Sequence, residues 1–181
     1  AAEKLAEADP LAEIKRYYFT EEATRGEPTG MVCGGMAEVF LEVMTSSPVL
    51  VVCGGGPVGQ AVAVAGELAD FEIVVVEDRD EFLDPTLYPD SVRFEQVDRE
   101  YSSDFLAGYL ERDLHIAIVT RCWETDSAAL AAVLRQAPSR LAYLGLMGSE
   151  RKVERVRDNV IAAGHSLESV DLRAPIGLPI G

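Results

Sequence analysis

The chain has 181 residues, 48% of them hydrophobic, and a formal net charge of −15. That length fills one core, with room for a small appendage, and the acidity repels nucleic acid and anionic membrane surfaces. No apolar run approaches the roughly 18 residues of a membrane helix, so no membrane span is expected. Residues 2–19, rich in Ala, Glu, Leu and Lys, predict a helix interrupted at Pro10 that begins abruptly, as a fragment would, with no signal peptide before it. A polar loop over 20–30 follows. "MVCGG" and "MAEVFLEVM" then predict two short strands around a Gly34-Gly35 turn. From Val49 onward strands alternate with helices: strands at 49–53, 72–77, 92–96, 114–120 and 141–144, helices at 57–69, 102–111, 126–136 and 150–163. Continuous apolar strands such as Ile73-Val-Val-Val76 imply burial on both faces, so the pattern predicts a Rossmann-like, doubly wound parallel α/β sheet behind a small N-terminal α+β segment.

The first strand of that sheet runs into "CGGGPVGQ". Gly54, Gly56 and Gly59 have G-x-G-x-x-G spacing, and Pro57 suits the first turn of a helix, where its missing N–H loses no bond. Val58, Ala61, Val62, Ala65 and Leu68 fall at helical spacing and predict the sheet-facing stripe. The helix amides would then point at an anion in the turn. The second strand ends at Glu77, 23 residues after Gly54, where a carboxylate would accept from a ribose 2′-hydroxyl and disfavour a 2′-phosphate. The plainer alternative is that these glycines only permit tight strand-to-helix packing.

A second junction, "YLGLMGSERKVERVR", offers Gly145 and Gly148 for close approach, Ser149 as a cap, and Arg151, Lys152, Arg155 and Arg157 as cations. Phosphate recognition and ordinary surface pairing with Glu150, Glu154 and Asp158 are both open for it. Ser149 and Lys152, nearest the strand end, are the better ligand candidates. Cys33, followed by two glycines, is either a reactive thiol near unobstructed amides or a small buried residue. Cys33, Cys53 and Cys122 are odd in number and scattered, which points to neither a disulfide framework nor a zinc site but to a reducing cytoplasm. His115 and His165 lack ligand partners at suitable spacing and are expected to be structural.

"MVCGGMAEVFLE", "VLVVCGGGPVGQAVAVAGELADFEIVVVEDRDEF", "YLGLMGSERKV" and "APIGLPIG" together resemble the XdhC/CoxI family of molybdenum hydroxylase maturation proteins. The resemblance covers nearly everything from Met31 to Gly181. It implies an N-terminal segment with the C-G-G motif (1–47) and a Rossmann-like domain (48–181). It implies a chaperone that binds the molybdenum-pterin cofactor, presents it to a cysteine desulfurase for sulfuration, and delivers it to an apo molybdenum hydroxylase such as xanthine dehydrogenase. Self-association as a homodimer is left open. On this resemblance Cys33 supplies a thiol at the cofactor. Gly54, Gly56 and Gly59, the acidic-arginine element Glu77-Asp78-Arg79, and Gly148, Ser149 and Lys152 would contact it.

The chain departs from the family in reading Thr120-Arg-Cys-Trp-Glu-Thr-Asp126, without the histidine usual after the fourth strand. It is short for the family at its N-terminus and stops at Gly181, where a further helix would be expected. An NAD-dependent oxidoreductase using the same turn is the competing function. It would need a proton donor or metal and a substrate pocket, and no His or Lys constellation offers one. A degenerate Rossmann unit acting as an interaction module is a third possibility; it would leave Glu77 and Lys152 without ligands.

Overall fold

The computed structural model describes residues 12–19, 27–28, 34–42 and 46–177. The chain divides into two compact units, Ala1–Ser46 and Ser47–Gly181.

In the first unit, strand β1 (Ala12–Tyr18) pairs antiparallel with β3 (Met36–Glu42), placing Ile14 opposite Phe40, and the short β2 (Glu27–Pro28) lies parallel to β1. The helix expected here is therefore a strand as far as residues 12–18 are concerned; residues 2–11 lie outside the described residues. Ile14, Tyr17 and Tyr18 prefer an extended backbone, and pairing along all of β3 outweighs the helical propensity of Ala, Glu and Lys. Cys33 and the strand expected at 31–33 also lie outside the described residues. Gly34 and Gly35 follow at φ of +69° and +115°, a left-handed pair that favours glycine. The Gly34 amide donates to the Phe19 carbonyl at 3.0 Å, so that amide is already engaged.

The second unit is a six-stranded parallel sheet of β4 (Val49–Cys53), β5 (Glu72–Glu77), β6 (Arg93–Gln96), β7 (Leu114–Ile118), β8 (Leu141–Leu146) and β9 (Leu172–Arg173), in the order β6-β5-β4-β7-β8-β9. This is the doubly wound Rossmann order, and the switch point lies between β4 and β7. Alternate side chains build two cores. Val51, Val74, Ile116 and Leu144 face α2 (Trp123–Gln136) and α3 (Glu150–Ala162). Val52, Ile73 and Val75 face Ala63 of α1 (Pro57–Leu68).

Two details differ from the sequence expectation. Of the expected stripe Val62 packs against the core, but Val58, Ala61, Ala65 and Leu68 are exposed, and the residues buried against the sheet are the small ones, Gly59, Ala63 and Gly66. A Cβ on Gly66 would come within 2.6 Å of the Leu50 and 2.7 Å of the Ile73 side-chain ends, which would have to shift to make room for it. The helix expected at 102–111 is a chain of turns closed by i→i−3 bonds, such as Ala107 to Asp104 and Tyr109 to Leu106. Gly108 weakens a helix there, and the Gln136 side chain accepts the Leu106 amide at 2.8 Å. Phe105, Leu106 and Tyr109 still reach the core. Among the described residues no helix is long and apolar enough to cross a membrane.

Candidate functional site

The carboxyl ends of β4, β5 and β7 meet at the switch point, and the glycine turn lies between them. Gly54 leaves β4 at φ +113°, and its absent Cβ would fall 2.8 Å from the Val119 carbonyl oxygen and 2.9 Å from Thr120 Cα. A Cβ on Gly59 would collide with the Gly54 carbonyl. Gly55 is held on both sides: its amide donates to Glu77 Oε2 at 2.7 Å, and its carbonyl accepts from Gln60 Nε2 at 3.0 Å and from the Tyr88 hydroxyl at 2.8 Å. Burial, with the charge of Glu77 nearby, pushes the Tyr88 phenol up to about 12, so it stays a neutral donor.

Gly56 is different. Its backbone is ordinary (φ −65°, ψ −176°), and a Cβ there would meet nothing within 4 Å. Tight packing thus accounts for Gly54 and Gly59 but gives no reason for glycine at 56. The helix that starts there is also unneutralised. Pro57 occupies its first position, no side chain caps it, and no acidic residue stands in its first turn. The first turn of α2 carries Glu124 and Asp126, and α3 has Ser149 as its cap and Glu150 behind it. Of these three helices α1 alone leaves its positive end bare, so it has the strongest unmet attraction for an anion.

Glu77, 1% exposed, supports the turn from the end of β5. Its carboxylate accepts five donors: the amides of Gly55, Asp78 and Arg79, and Nε and Nη2 of Arg79 at 2.9 Å each. That fills the roughly four lone-pair positions of a carboxylate from within the protein. The fork-on-carboxylate geometry raises the Arg79 pKa further, and the guanidinium carbon stands 4.2 Å over the Phe82 ring centroid. Asp78 accepts a second fork, from Arg121 Nη1 and Nη2 at 2.6 and 2.8 Å, which holds its carboxyl well below the usual carboxylate range.

The second junction closes on itself. Ser149 Oγ accepts the Lys152 amide at 3.3 Å, and the Lys152 side chain folds over Gly148, whose Cβ would lie 2.8 Å from Lys152 Cδ. Lys152 Nζ then pairs with Asp126 Oδ2 at 2.5 Å and donates to the Met147 carbonyl at 3.3 Å. Asp126 is wholly buried and also accepts from Thr120 Oγ1 at 2.5 Å; burial raises its pKa, and Lys152 and Thr120 offset part of that. This Asp126–Lys152–Thr120 cluster escapes sequence reasoning. Its only signal is polar residues at the ends of β7 and β8 and in the first turns of α2 and α3, which adjacent parallel strands place side by side. The other cations disperse: Arg155 stacks on Trp123 at 4.0 Å, and Arg151 and Arg157 face solvent.

Cys53 is fully buried, and burial together with Asp126 pushes its thiol far up, so it is inert. Cys122 is partly exposed, with Sγ 2.9 Å from Thr125 Oγ1. His115 is half-buried edge-on to Phe71, and His165 lies in the turn after α3.

Residues 50–181 match the family model of the XdhC Rossmann domain. A curated relative, the uncharacterized protein YqeB of Escherichia coli (strain K12), is 31% identical over 159 residues, which is 86% of this chain and 28% of the relative. A crystal structure described as a xanthine dehydrogenase from Bacillus halodurans superposes with a TM-score of 0.59 at 23% identity, covering 80% of this chain and 39% of that one. The chain thus spans well under half the length of either protein, and at that identity the superposition speaks for the fold alone.

Proposed function

The chain belongs to the XdhC family, and from that premise we propose that it binds the phosphate-bearing end of a molybdenum-pterin cofactor at the bare N-terminus of α1, as an accessory protein in the maturation of a molybdenum hydroxylase. One observation carries the reading: the room above Gly56, where a Cβ would meet no protein atom within 4 Å. A phosphate placed there accepts from the amides of the first turn, which have no intrahelical acceptor. No base or metal is needed for this role, since the cofactor is cargo and the protein has only to hold and orient it. The family supports a xanthine dehydrogenase-type partner. A cysteine desulfurase would act on the bound cofactor, in the cytoplasm, before its delivery to the apo-hydroxylase.

Cys33, ahead of the left-handed Gly34-Gly35 pair, belongs to the same proposal as the thiol that acts at the cofactor. Calorimetric titration of the full chain with isolated molybdenum cofactor, and in parallel with NAD, tests the assignment of ligand. The reading expects cofactor binding that Gly56→Val abolishes while the fold persists. Tighter binding of NAD would make the turn a dinucleotide seat and favour an oxidoreductase. Co-expression with an apo-hydroxylase tests Cys33: Cys33→Ser should keep the thermal midpoint and lose activation of the partner, and full activation by that variant rules out the role of its thiol.

A further inference from the structure

Strand β4 lies between β5 and β7 in the sheet, so its glycine turn leaves between their carboxyl ends. Asp78 follows the last residue of β5, and Arg121 comes just after the end of β7. Their side chains meet in the two-point fork at 2.6 and 2.8 Å, which therefore crosses from one flank of β4 to the other. Both feet of the crossing stand beside the turn. Gly54 packs on the backbone of Val119 and Thr120, the two residues before Arg121. Arg121 Nη1 is also 3.8 Å from Glu77 Oε1, and the other oxygen of that carboxylate holds the Gly55 amide.

The fork is closed but exchangeable. The Arg121 side chain is 34% exposed, and an ion pair that water reaches is held weakly. Were Arg121 to turn away, Asp78 would not be stranded, because Arg79 Nε lies 3.9 Å from its Oδ1. A guanidinium grips a phosphate with the same two-point geometry as a carboxylate. Arg121 belongs to none of the motifs that carry the family resemblance and stands in the stretch where the chain departs from the family.

We propose that Arg121 is a second anion contact beside the α1 seat, held in reserve by Asp78, and that the site takes a diphosphate. One phosphate lies over Gly56, and the other takes Arg121 from Asp78. Asp78 is then a built-in competitor of the ligand and not one of its contacts. The inference rests on the phosphate-seat reading above and sharpens its ligand from a phosphate to a diphosphate.

Calorimetry on the full chain with AMP and ADP in magnesium-free buffer tests it, since these probes differ by one phosphate. The net charge of −15 repels ADP the more strongly, so a preference for ADP has to come from a local contact. The wild type should bind ADP about three- to tenfold more tightly than AMP, the range left to a charged fork that must first displace a partly exposed carboxylate. Arg121→Gln, its fold checked by thermal melting, should bring ADP down to the affinity of AMP. Asp78→Asn should strengthen ADP binding by about three- to tenfold, because the competitor is gone. In the Arg121→Gln background the same substitution should gain nothing, which separates exchange from a general relief of negative charge. Weaker ADP binding by Asp78→Asn makes Asp78 a ligand contact and overturns the exchange. Equal wild-type affinity for the two probes, an ADP preference that survives Arg121→Gln, or an Asp78→Asn gain that persists without Arg121 overturns it as well. Each of these leaves the phosphate seat standing where Gly56→Val still abolishes AMP binding. Failure of the wild type to bind either probe removes the seat and the exchange with it.

Discussion

The two strand-to-helix junctions use the same ingredients, glycines, a helix N-terminus and a buried carboxylate from the next strand or helix, to opposite ends. After β8, Ser149 caps its own helix and Lys152 closes over Gly148 onto Asp126, so the junction is filled from inside. After β4, Glu77 and Tyr88 engage only the inner side of the turn, at Gly55, and Gly56 with the bare start of α1 is left over. What distinguishes a binding turn from a packing turn is thus the polar capacity that remains once the protein's own side chains have been placed.

The contrast can be broken most forcefully at Lys152. Lys152→Ala strands a buried carboxylate and should cost about 3–5 kcal/mol in urea denaturation. Asp126→Ala leaves a lysine that can bend toward water, and about 1–2 kcal/mol is expected. Equal, small losses would show that the second junction is not an internal lock. A second comparison lies within the first turn. Gly54→Ala meets both a positive φ and the Val119 carbonyl, and about 2–3 kcal/mol should be lost, whereas Gly56→Ala should change stability by less than about 0.5 kcal/mol. Similar costs at the two positions would make both glycines structural.

A further effect is in pH. Arg121 depresses the Asp78 carboxyl, so on acidification the unfolded chain takes up that proton first, and stability present above about pH 4 is lost as pH falls toward the folded value. Burial raises Asp126, so in the fold it holds its proton longer, and its contribution falls as pH rises above about 4. The two carboxylates therefore titrate with opposite sign. Asp78→Asn should flatten the acid limb of the stability curve by about 1 kcal/mol, the scale of a partly exposed pair. Thermal melts between pH 2 and about 6 measure it, and an unchanged acid limb would disprove the Asp78–Arg121 linkage.

Most of the sheet was legible because buried parallel strands are unbroken apolar runs and their boundaries carry glycine, proline and cap residues. What was not legible depended on partners. Nothing local in 12–18 announces the strand that β3 makes of it. The apolar stripe on α1 holds only at Val62, because glycine and alanine at 59, 63 and 66 allow the helix closer to the sheet than valine or leucine would. Glu77 could be placed at the end of β5 from the sequence, but not that its oxygens would be filled by Gly55 and its own two successors. Asp126 and Lys152 are 26 positions apart, and only the adjacency of β7 and β8 joins them.

Gly59 and Gly66 lie two helical turns apart on the face of α1 that touches the sheet; a methyl group at Gly59 would collide with the Gly54 carbonyl, and one at Gly66 would push aside the Leu50 and Ile73 side-chain ends. Through the backbone contact at Gly59, α1 is held at its first turn against the end of β4. Its first-turn amides are therefore fixed relative to β4 before an anion arrives, and capture should resemble a key entering a cut lock: free and loaded forms superposing over residues 49–77, with a heat of binding drawn from the contacts themselves and not from remaking the turn.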